Sequence, residues 1–413
     1  IRTIGSAWSD VINEIEKVDD KYIAVGQYMG NITIPAEYTV DNETVQLTNA
    51  NNNYSAMVII FNEDGKIFKV NKLDSTGAEK FNAIAKTNDG YVIVGYVDGS
   101  ITIPAEDTSE GIALNINIDK KNCGIVLKYD NNDKIEWIRT IKPNSNSNYS
   151  GFIKIAFLSN GEYAAILQVA KGTITIEAKD TVDGNDITKT ITDQNGGLIV
   201  IKFNENGLVQ TANIIDQFVS IGHDIVAVND GGYIVAIRSV WTSTMKIPPE
   251  ETKDNKGLDI STPGYNAFLL KYNQDGIFES YIQIDDHSYQ ASVSINNTND
   301  NGYIVTGKQY TYKLDDELNV EYKQTNVGSN LITSPLNNQT DYIQVGYTTE
   351  NSVNVAKIAK LKENTISAEI PEQQELTIEN YKKEYKITTD VDGVGGTISG
   401  QGSTNDNPYE TVE

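Results

Sequence analysis

Residues able to bind a charged group or a sugar gather in four short connections between predicted strands, at residues 4–10, 73–79, 215–224 and 284–290. Both histidines of the chain lie in these connections, with several aspartates and one tryptophan. The candidate site residues are Trp8, Asp10, Asp74, Asp216, His223, Asp224, Asp285, Asp286 and His287. Carboxylates and imidazoles can hold a cation or a basic peptide group, and an indole can stack on a sugar. The pattern predicts an acidic binding site; solvated acidic loops without a ligand are the alternative.

These connections are brought together because the chain consists of repeats. A tyrosine begins the same apolar segment in each copy, as in GYVIVGYVDGSITIP at residues 90–104. The anchoring residues are Tyr22, Tyr91, Tyr163, Tyr233, Tyr303 and Tyr342. The first five follow one another at intervals of about 70 residues, and the last interval is shorter. A fixed period of this kind predicts a repeat fold in which equivalent loops lie side by side. We expect the tyrosines to be structural, packing between repeats.

Each repeat reads as four short antiparallel strands, A to D. Runs such as YVIVG at 91–95 and IVLKY at 125–129 are rich in β-branched and aromatic residues, and turns containing Asn, Asp and Gly separate them. Helical periodicity is absent over any long window. Repetition of four-stranded units is typical of a β-propeller, so we predict an all-β propeller of about six blades. Seven blades, or a linear stack of repeats, are the alternatives.

Two features bear on how the blades are arranged. The chain begins with IRTI at residues 1–4, which matches the D strand IRTI at 138–141 and predicts that the N-terminal strand closes the ring. The segment TISAEI at 365–370 competes for the same position. The B–C connections are long in the first four repeats, at residues 38–53, 107–122, 178–195 and 251–264. Long insertions on one face often mark the binding face of a repeat protein; neutral surface growth is the alternative.

Composition excludes several classes of partner. The chain has 413 residues and a formal net charge of -24, which repels nucleic acids and anionic membrane surfaces. It contains no run of about 20 apolar residues, so we expect no membrane insertion. The single cysteine, Cys123, excludes an internal disulfide and is expected to be a small buried residue.

Motifs for catalysis or metal binding are sparse. The sequence has no P-loop, HExxH, CxxC or GxSxG motif. The turns at 62–65, 130–134 and 273–276 could suggest calcium, but none spaces its acidic residues as a calcium loop does. We therefore predict hairpin turns, no cofactor and no enzyme activity. The abundant carboxylates keep glycoside chemistry open as an alternative, because two carboxylates at a suitable separation suffice for it.

The repeat also carries a family resemblance. GYVIVGYVDGSITIP followed by IVLKYDNNDKIEWIRTI resembles the SBBP-type and related β-propeller repeats of bacterial secreted and surface proteins. The resemblance covers roughly residues 1–370, with shorter fifth and sixth units. Residues 371–385 are polar and predict a linker. Residues 386–413 resemble the truncated start of a small β repeat domain of Gram-positive surface proteins, which implies a propeller tethered outside the cell.

These observations predict an extracellular or cell-surface binding module of a Gram-positive-like bacterium, with a role in adhesion. Its ligand would be a protein or a glycan, recognised by the face bearing the long B–C and D–A loops. Both ends of the chain fall in predicted strands, so we expect a monomeric fragment of a longer protein. A carbohydrate-active enzyme with acidic residues at the axial mouth, and a spacer without a ligand, are the alternatives.

Overall fold

The structure, a computed structural model, describes most of the chain. The described residues are 4–6, 9–49, 53–73, 75, 77–118, 122–144, 150–216, 224–239, 242–264, 266–284, 293–307, 310–325, 329–336, 341–350, 353–362, 386–391, 394–399 and 411–412. The chain divides into two units, residues 2–289 and residues 290–413. Most of the predicted closing strand, at residues 1–3, and the whole predicted linker, at 371–385, lie outside the described residues.

The all-β prediction is confirmed. Within the described ranges, the helical segments are four 3-10 turns of three residues each, and the other elements are strands. The first unit contains four repeats of six strands. The first repeat comprises Val11–Val18 (β1), Lys21–Tyr28 (β2), Ile32–Ile34 (β3), Val45–Leu47 (β4), Ser55–Asn62 (β5) and Ile67–Leu73 (β6). The second comprises Glu79–Thr87 (β7), Gly90–Val97 (β8), Ile101–Ile103 (β9), Leu114–Ile116 (β10), Cys123–Asp130 (β11) and Ile135–Ile141 (β12).

The next two repeats have the same layout. The third comprises Ser150–Phe157 (β13), Tyr163–Val169 (β14), Gly172–Ile176 (β15), Ile187–Ile191 (β16), Gly197–Phe203 (β17) and Val209–Ile215 (β18). The fourth comprises Asp224–Ala227 (β19), Tyr233–Arg238 (β20), Thr242–Ile247 (β21), Leu258–Pro263 (β22), Ala267–Tyr272 (β23) and Phe278–Ile284 (β24). In each repeat the first, second, fifth and sixth strands pair in that order as a four-stranded antiparallel meander. These meanders are the predicted A–D strands, and we call them blades 1 to 4.

The two remaining strands of each repeat form a small hairpin within the B–C connection, which we call the arm. A 3-10 turn lies in each arm, at Ala36–Tyr38, Ala105–Asp107, Ala178–Asp180 and Pro249–Glu251. The threonine after each turn forms an isolated parallel bridge with the first residue of the D strand of its own blade: Thr39–Ile67, Thr108–Ile135, Thr181–Val209 and Thr252–Phe278. Each D strand begins directly after the C–D turn. The arm therefore leaves the end of the blade where strand B ends and strand C begins, and runs along the blade to the opposite end, which carries the C–D turn. The long connections are therefore ordered packing elements that extend beyond the predicted loop face.

Consecutive blades pack face to face, and the arms complete the contact. Between blades 1 and 2, residues such as Val58 and Ile93 share one buried cluster with Ile101 and Ile103 of the second arm. The clusters between blades 2 and 3 and between blades 3 and 4 are built in the same way, from two consecutive blades and the arm of the second one. Because both faces of a blade are buried, its central strands are continuous apolar runs, as in GLIVIKF at 197–203. Full burial of each such aliphatic side chain contributes about 2 kcal/mol.

Two recurring side chains connect the strands within a blade. The anchoring tyrosines Tyr91, Tyr163, Tyr233 and Tyr303 are buried, which confirms a structural role for these four. Tyr91 stacks on Tyr129 with ring centroids 4.8 Å apart. Lys128, in strand C, is also buried and binds Asp89 of the A–B turn at 2.9 Å and Glu136 of strand D at 3.1 Å. Cys123 is fully buried, as predicted.

The second unit has shorter repeats. Ser294–Asn297 (β25), Tyr303–Thr306 (β26), Tyr310–Leu314 (β27) and Val320–Thr325 (β28) form a four-stranded meander without an arm. Ser329–Leu336 (β29), Asp341–Glu350 (β30) and Val353–Lys362 (β31) form a three-stranded sheet. Lys386–Val391 (β32), Val394–Ser399 (β33) and Thr411–Val412 (β34) form another. The fold is thus propeller-like; the number of blades and the closure of a ring stay predictions.

Candidate functional site

The A strands of blades 1 to 4, β1, β7, β13 and β19, contact one another in chain order. β1, β7 and β13 each have a bulge at the same place, after Ile12, Phe81 and Phe152. In the first two, an asparagine occupies the bulge and bridges to the next blade. Asn13 Nδ2 donates to the carbonyl oxygen of Phe81, and Asn82 Nδ2 to that of Phe152, both at 2.6 Å. A bulge redirects the side chains beside it, and these amides hold neighbouring A strands at a fixed spacing.

One register position of the A strands holds a charged residue in three of the four blades. It is the residue paired with the third residue after the anchoring tyrosine: Glu14, Ala83, Lys154 and Asp224 in blades 1 to 4. The Lys154 ammonium donates to Glu14 Oε1 and lies 4.0 Å from Asp224 Oδ1. Side chains from blades 1, 3 and 4 therefore meet, which places this position at the centre of the four blades. We call Glu14, Lys154 and Asp224 the inner charged layer.

Blade 2 contributes to this layer through its backbone. Its residue at the same position is the small Ala83, and the amide of the following residue, Ile84, donates to Glu14 Oε2 at 2.8 Å. Glu14 is thus held by one ammonium and one backbone amide from two different blades. Burial lowers the pKa of Lys154, but the carboxylates of Asp224, Glu14 and Glu16 outweigh it and raise that pKa above its usual value. The ammonium is therefore charged at every physiological pH.

Glu16 lies two residues along the same strand and has unusual electrostatics. Its register equivalents in blades 2 to 4 are Ala85, Ala156 and Val226, so it is the one acidic residue of an otherwise apolar layer. Burial, and secondarily repulsion by Glu14, raises the pKa of Glu16 to about 7, although Lys86 and Lys154 act in the opposite direction. A carboxyl with this pKa changes charge near neutral pH and can donate or accept a proton there.

The predicted site residues divide into two groups. Trp8, Asp74, His223, Asp285, Asp286 and His287 lie outside the described residues. Asp10, Asp216 and Asp224 are described, and Asp224 belongs to the inner charged layer. Asp10 Oδ1 accepts from Ser6 Oγ and from the Met29 amide, both at 3.0 Å, and so ties the chain before β1 to the end of β2. Asp216 Oδ1 accepts from the amides of Thr192 at 2.9 Å and Asp193 at 3.1 Å.

Asp10 and Asp216 therefore have a structural role in joining segments of their own repeats. The prediction missed Glu14, Glu16 and Lys154, because they lie in strands rather than in the D–A connections. A signal for them was present: aligning the repeats on the tyrosines shows charged residues at A-strand positions where other repeats have alanine or valine.

A second set of acidic residues lies in the 3-10 turns of the arms. Asp107 of the second arm is 3.4 Å from Lys69 of blade 1, and Asp180 of the third arm is 3.9 Å from Arg139 of blade 2. Glu251 of the fourth arm accepts from the Ile214 amide of blade 3 at 2.8 Å. Each acid therefore joins its arm to the D strand of the preceding blade. These residues secure the packing of consecutive blades.

Two grooves occupy equivalent places beside the arms. One, of about 310 Å³, lies between β10, β12 and the third arm, and the other, of about 490 Å³, lies between β16, β18 and the fourth arm. Both have mixed charges, with Arg139, Lys142 and Lys179 in the first and Lys246 and Lys256 in the second. Among the described residues, neither groove is lined by an aromatic side chain that could stack on a sugar.

The described residues give no direct indication of a metal or of a membrane span. Across these ranges, no three His, Cys, Asp or Glu side chains are grouped as ligands of a metal ion. In the same part of the chain, no helix has the length and apolar character needed to cross a membrane. Whether a cofactor is required stays a matter of prediction.

Comparison with known proteins gives structural similarity alone. No family model and no curated protein matches the chain. A protein of unknown function from Bacteroides caccae is 11% identical over 74% of this chain and 86% of its own, with a TM-score of 0.39. A protein of unknown function from Dyadobacter fermentans DSM 18053 is 11% identical over 88% and 100%, with a TM-score of 0.44. The Dos1 propeller is 10% identical over 82% and 92%, with a TM-score of 0.35. Similarity at this level assigns no function.

Proposed function

We propose that the chain is a binding module of a bacterial surface protein and that its ligand, a protein or a glycan, contacts the inner charged layer and the adjoining D–A connections. One observation supports this most strongly. The A-strand position next to the layer is isoleucine in every blade of the first unit, as Ile15, Ile84, Ile155 and Ile225, whereas the layer position itself differs in each. Residues that the fold requires recur in all repeats. Charged residues that change from blade to blade therefore serve a purpose that the repeat itself does not require.

The chemistry of the layer suits a polar ligand. Two carboxylates surround one ammonium, and their side chains remain 19–29% exposed. The side chains can therefore exchange contacts with one another for contacts with a ligand that has hydrogen-bond donors. The net charge of -24 adds long-range attraction for basic partners.

A binding array tests this proposal. The chain and a Glu14→Gln/Asp224→Asn double variant are applied to immobilised glycans and extracellular proteins. A Glu110→Gln/Asp64→Asn variant is the control, because it removes the same charge from exposed positions. We expect a ligand that the control retains and the layer variant loses by at least tenfold. A ligand bound equally by all three proteins would show that the layer is not the site.

A second candidate function, carbohydrate hydrolysis, is favoured by the pKa of Glu16. A carboxyl that is partly protonated near pH 7 can act as a general acid, and Glu14 supplies a second carboxylate on the same strand. The Lys154 ammonium between Glu14 and Asp224 is a point against it, since it occupies space that a scissile bond would need. A panel of aryl glycosides tests this candidate: turnover that disappears in Glu16→Gln would support it, and no turnover on any substrate would dismiss it.

We further propose that the blades close into a six-bladed ring, with the N-terminal strand completing the last blade, and that the protein is displayed at a Gram-positive-like cell wall. The exposure of apolar side chains in blade 1 supports closure of the ring. Ile15 is 56% exposed, whereas its equivalents Ile84, Ile155 and Ile225 are buried against a preceding blade. Tyr22 is 36% exposed, whereas the equivalent Tyr91 is 1% exposed. Blade 1 thus offers an apolar face of the kind that receives a neighbouring blade.

A further inference from the structure

A pocket of about 270 Å³ lies between blades 3 and 4, at the end that carries the A–B and C–D turns. Glu162 of the A–B turn of blade 3 and Asp275 of the C–D turn of blade 4 line its sides. Lys202, Gln210 and Thr211, from strands C and D of blade 3, line its base. It lies apart from the inner charged layer, with which it shares no residue.

The pocket exists because one residue is small. Thr211 pairs with Lys202 of strand C, and at the same register Trp137 pairs with Lys128 in blade 2. The Trp137 indole packs into the contact between blades 2 and 3, edge-on to Tyr163 with ring centroids 6.0 Å apart. In blade 1 the equivalent residue is Lys69, whose ammonium reaches the carbonyl oxygen of Asp133 in the next blade. A long side chain thus reaches from blade 1 to blade 2 and from blade 2 to blade 3. The shorter Thr211 leaves a gap between blades 3 and 4.

The polar groups of the pocket are unevenly satisfied. Glu162 accepts from the Lys202 ammonium and from Gln210 Nε2, each at 2.5 Å, so these charges neutralise one another. Gln210 Oε1 and Thr211 Oγ1 are buried, and no group among the described residues is hydrogen-bonded to either. The Gln210 amide oxygen only accepts, whereas the Thr211 hydroxyl can accept or donate, so a donor from water or from a ligand satisfies the first and can satisfy the second. A buried oxygen left without a partner costs about 1–3 kcal/mol. The exposed Asp275 carboxylate adds a negative charge at the rim.

We propose that this pocket binds an ammonium or guanidinium group, such as the end of a lysine or arginine side chain of a partner protein. Such a group provides several donors and no acceptor, which matches two unsatisfied oxygens beside a carboxylate. Its positive charge is favoured by Asp275 and by the acidic protein as a whole. The pocket is open to solvent, so a single group of this type should bind with a dissociation constant of about 1 mM or more.

Ligand-observed saturation-transfer NMR on the full chain tests this proposal, with methylguanidinium chloride as the probe and methyl glucoside as a neutral donor of hydrogen bonds. We expect saturable binding of methylguanidinium that weakens at least tenfold in Thr211→Trp, which places in blade 3 the residue that blade 2 has at this position. Asp275→Asn should weaken binding about threefold. Asp64→Asn, at the equivalent turn position of blade 1, removes the same charge and should leave binding unchanged.

Two results would overturn the proposal. One is methylguanidinium binding that persists in Thr211→Trp, and the other is binding of methyl glucoside alone. Circular dichroism tests whether Thr211→Trp is folded. If it is not, Gln210→Met serves instead: it removes the unsatisfied amide oxygen at similar volume and should weaken binding at least threefold. A lysine-containing peptide that competes with methylguanidinium would indicate a protein partner, and failure of every peptide to compete would restrict the site to small cations and refute the protein partner.

Discussion

Replacing Glu16 by glutamine should change how the stability of the protein depends on pH. Unfolded, this glutamate titrates near 4.5, and in the folded protein its pKa is about 7. The folded state therefore holds the proton more tightly than the unfolded chain does. The stability that Glu16 contributes is fully present below pH 4.5 and is lost as the pH rises to about 7. The gap between the two values corresponds to about 3 kcal/mol.

The expected effect is somewhat smaller because Glu16 keeps partial contact with water, which screens its charge. We expect Glu16→Gln to exceed the natural protein by about 1–3 kcal/mol in the free energy of unfolding at pH 8, with a difference below about 0.5 kcal/mol at pH 4.5. Urea unfolding of both proteins across this pH range measures it. Glu110→Gln, at an exposed position in the second arm, is the matched control and should show no such trend. Parallel stability profiles for the natural protein and Glu16→Gln would refute the assignment of Glu16 to an apolar layer.

Three further substitutions test the packing of the blades, each by thermal or urea unfolding. Glu251→Ala should lower the free energy of unfolding by about 3 kcal/mol, because it leaves the Ile214 amide and the Lys189 ammonium without their buried partner. A decrease below about 1 kcal/mol would contradict this role. Lys128→Ile should cost only about 1 kcal/mol, because blade 1 has isoleucine at this position and the freed carboxylates reach water. Gly124→Ala should lower the free energy of unfolding by about 1–3 kcal/mol, since its Cβ would lie 2.8 Å from a side-chain atom of blade 3. An unchanged unfolding midpoint would show that the contact between blades 2 and 3 can adjust to the added methyl group.

Much of the fold was predictable because the repeats supply an internal comparison. The tyrosine register located strand B in each blade, and the Asn, Asp and Gly turns located the C–D hairpins. Those turns require residues that tolerate left-handed backbone, as Gly65, Gly207 and Gly276 do with φ of 69° to 74°. Local chemistry of this type is visible in any single repeat.

The arms were harder to predict because their strands are short and their role depends on a neighbouring blade. ITIPAE at 101–106 reads locally as the end of strand B followed by a loop. It becomes a hairpin because Ile101 and Ile103 are buried between two blades, and because Thr108 pairs with the start of strand D. Contacts between segments about 30 residues apart determine this element, and no local pattern encodes them.

The candidate site could be predicted only in part. Composition led to the D–A connections, where acidic residues and histidines cluster in the sequence. Of the three predicted residues that the structure describes, Asp10, Asp216 and Asp224, the last lies in the inner charged layer. Glu14 and Lys154 are far apart in sequence and meet only because the A strands of different blades face a common centre. The pKa of Glu16 likewise depends on the apolar residues that other repeats supply at its level. Such properties arise from the packing of whole blades.

Closure of the ring underlies the proposal of an axial binding site, and the reactivity of one tyrosine tests it most directly. Hydroxyl radical footprinting of the full chain, read by mass spectrometry, compares Tyr22 with the buried Tyr91, 1% exposed, and with Tyr281, 43% exposed. In a closed ring the last blade covers the apolar face of blade 1, so Tyr22 should be protected to nearly the same degree as Tyr91. Oxidation of Tyr22 at the rate of Tyr281 would contradict closure.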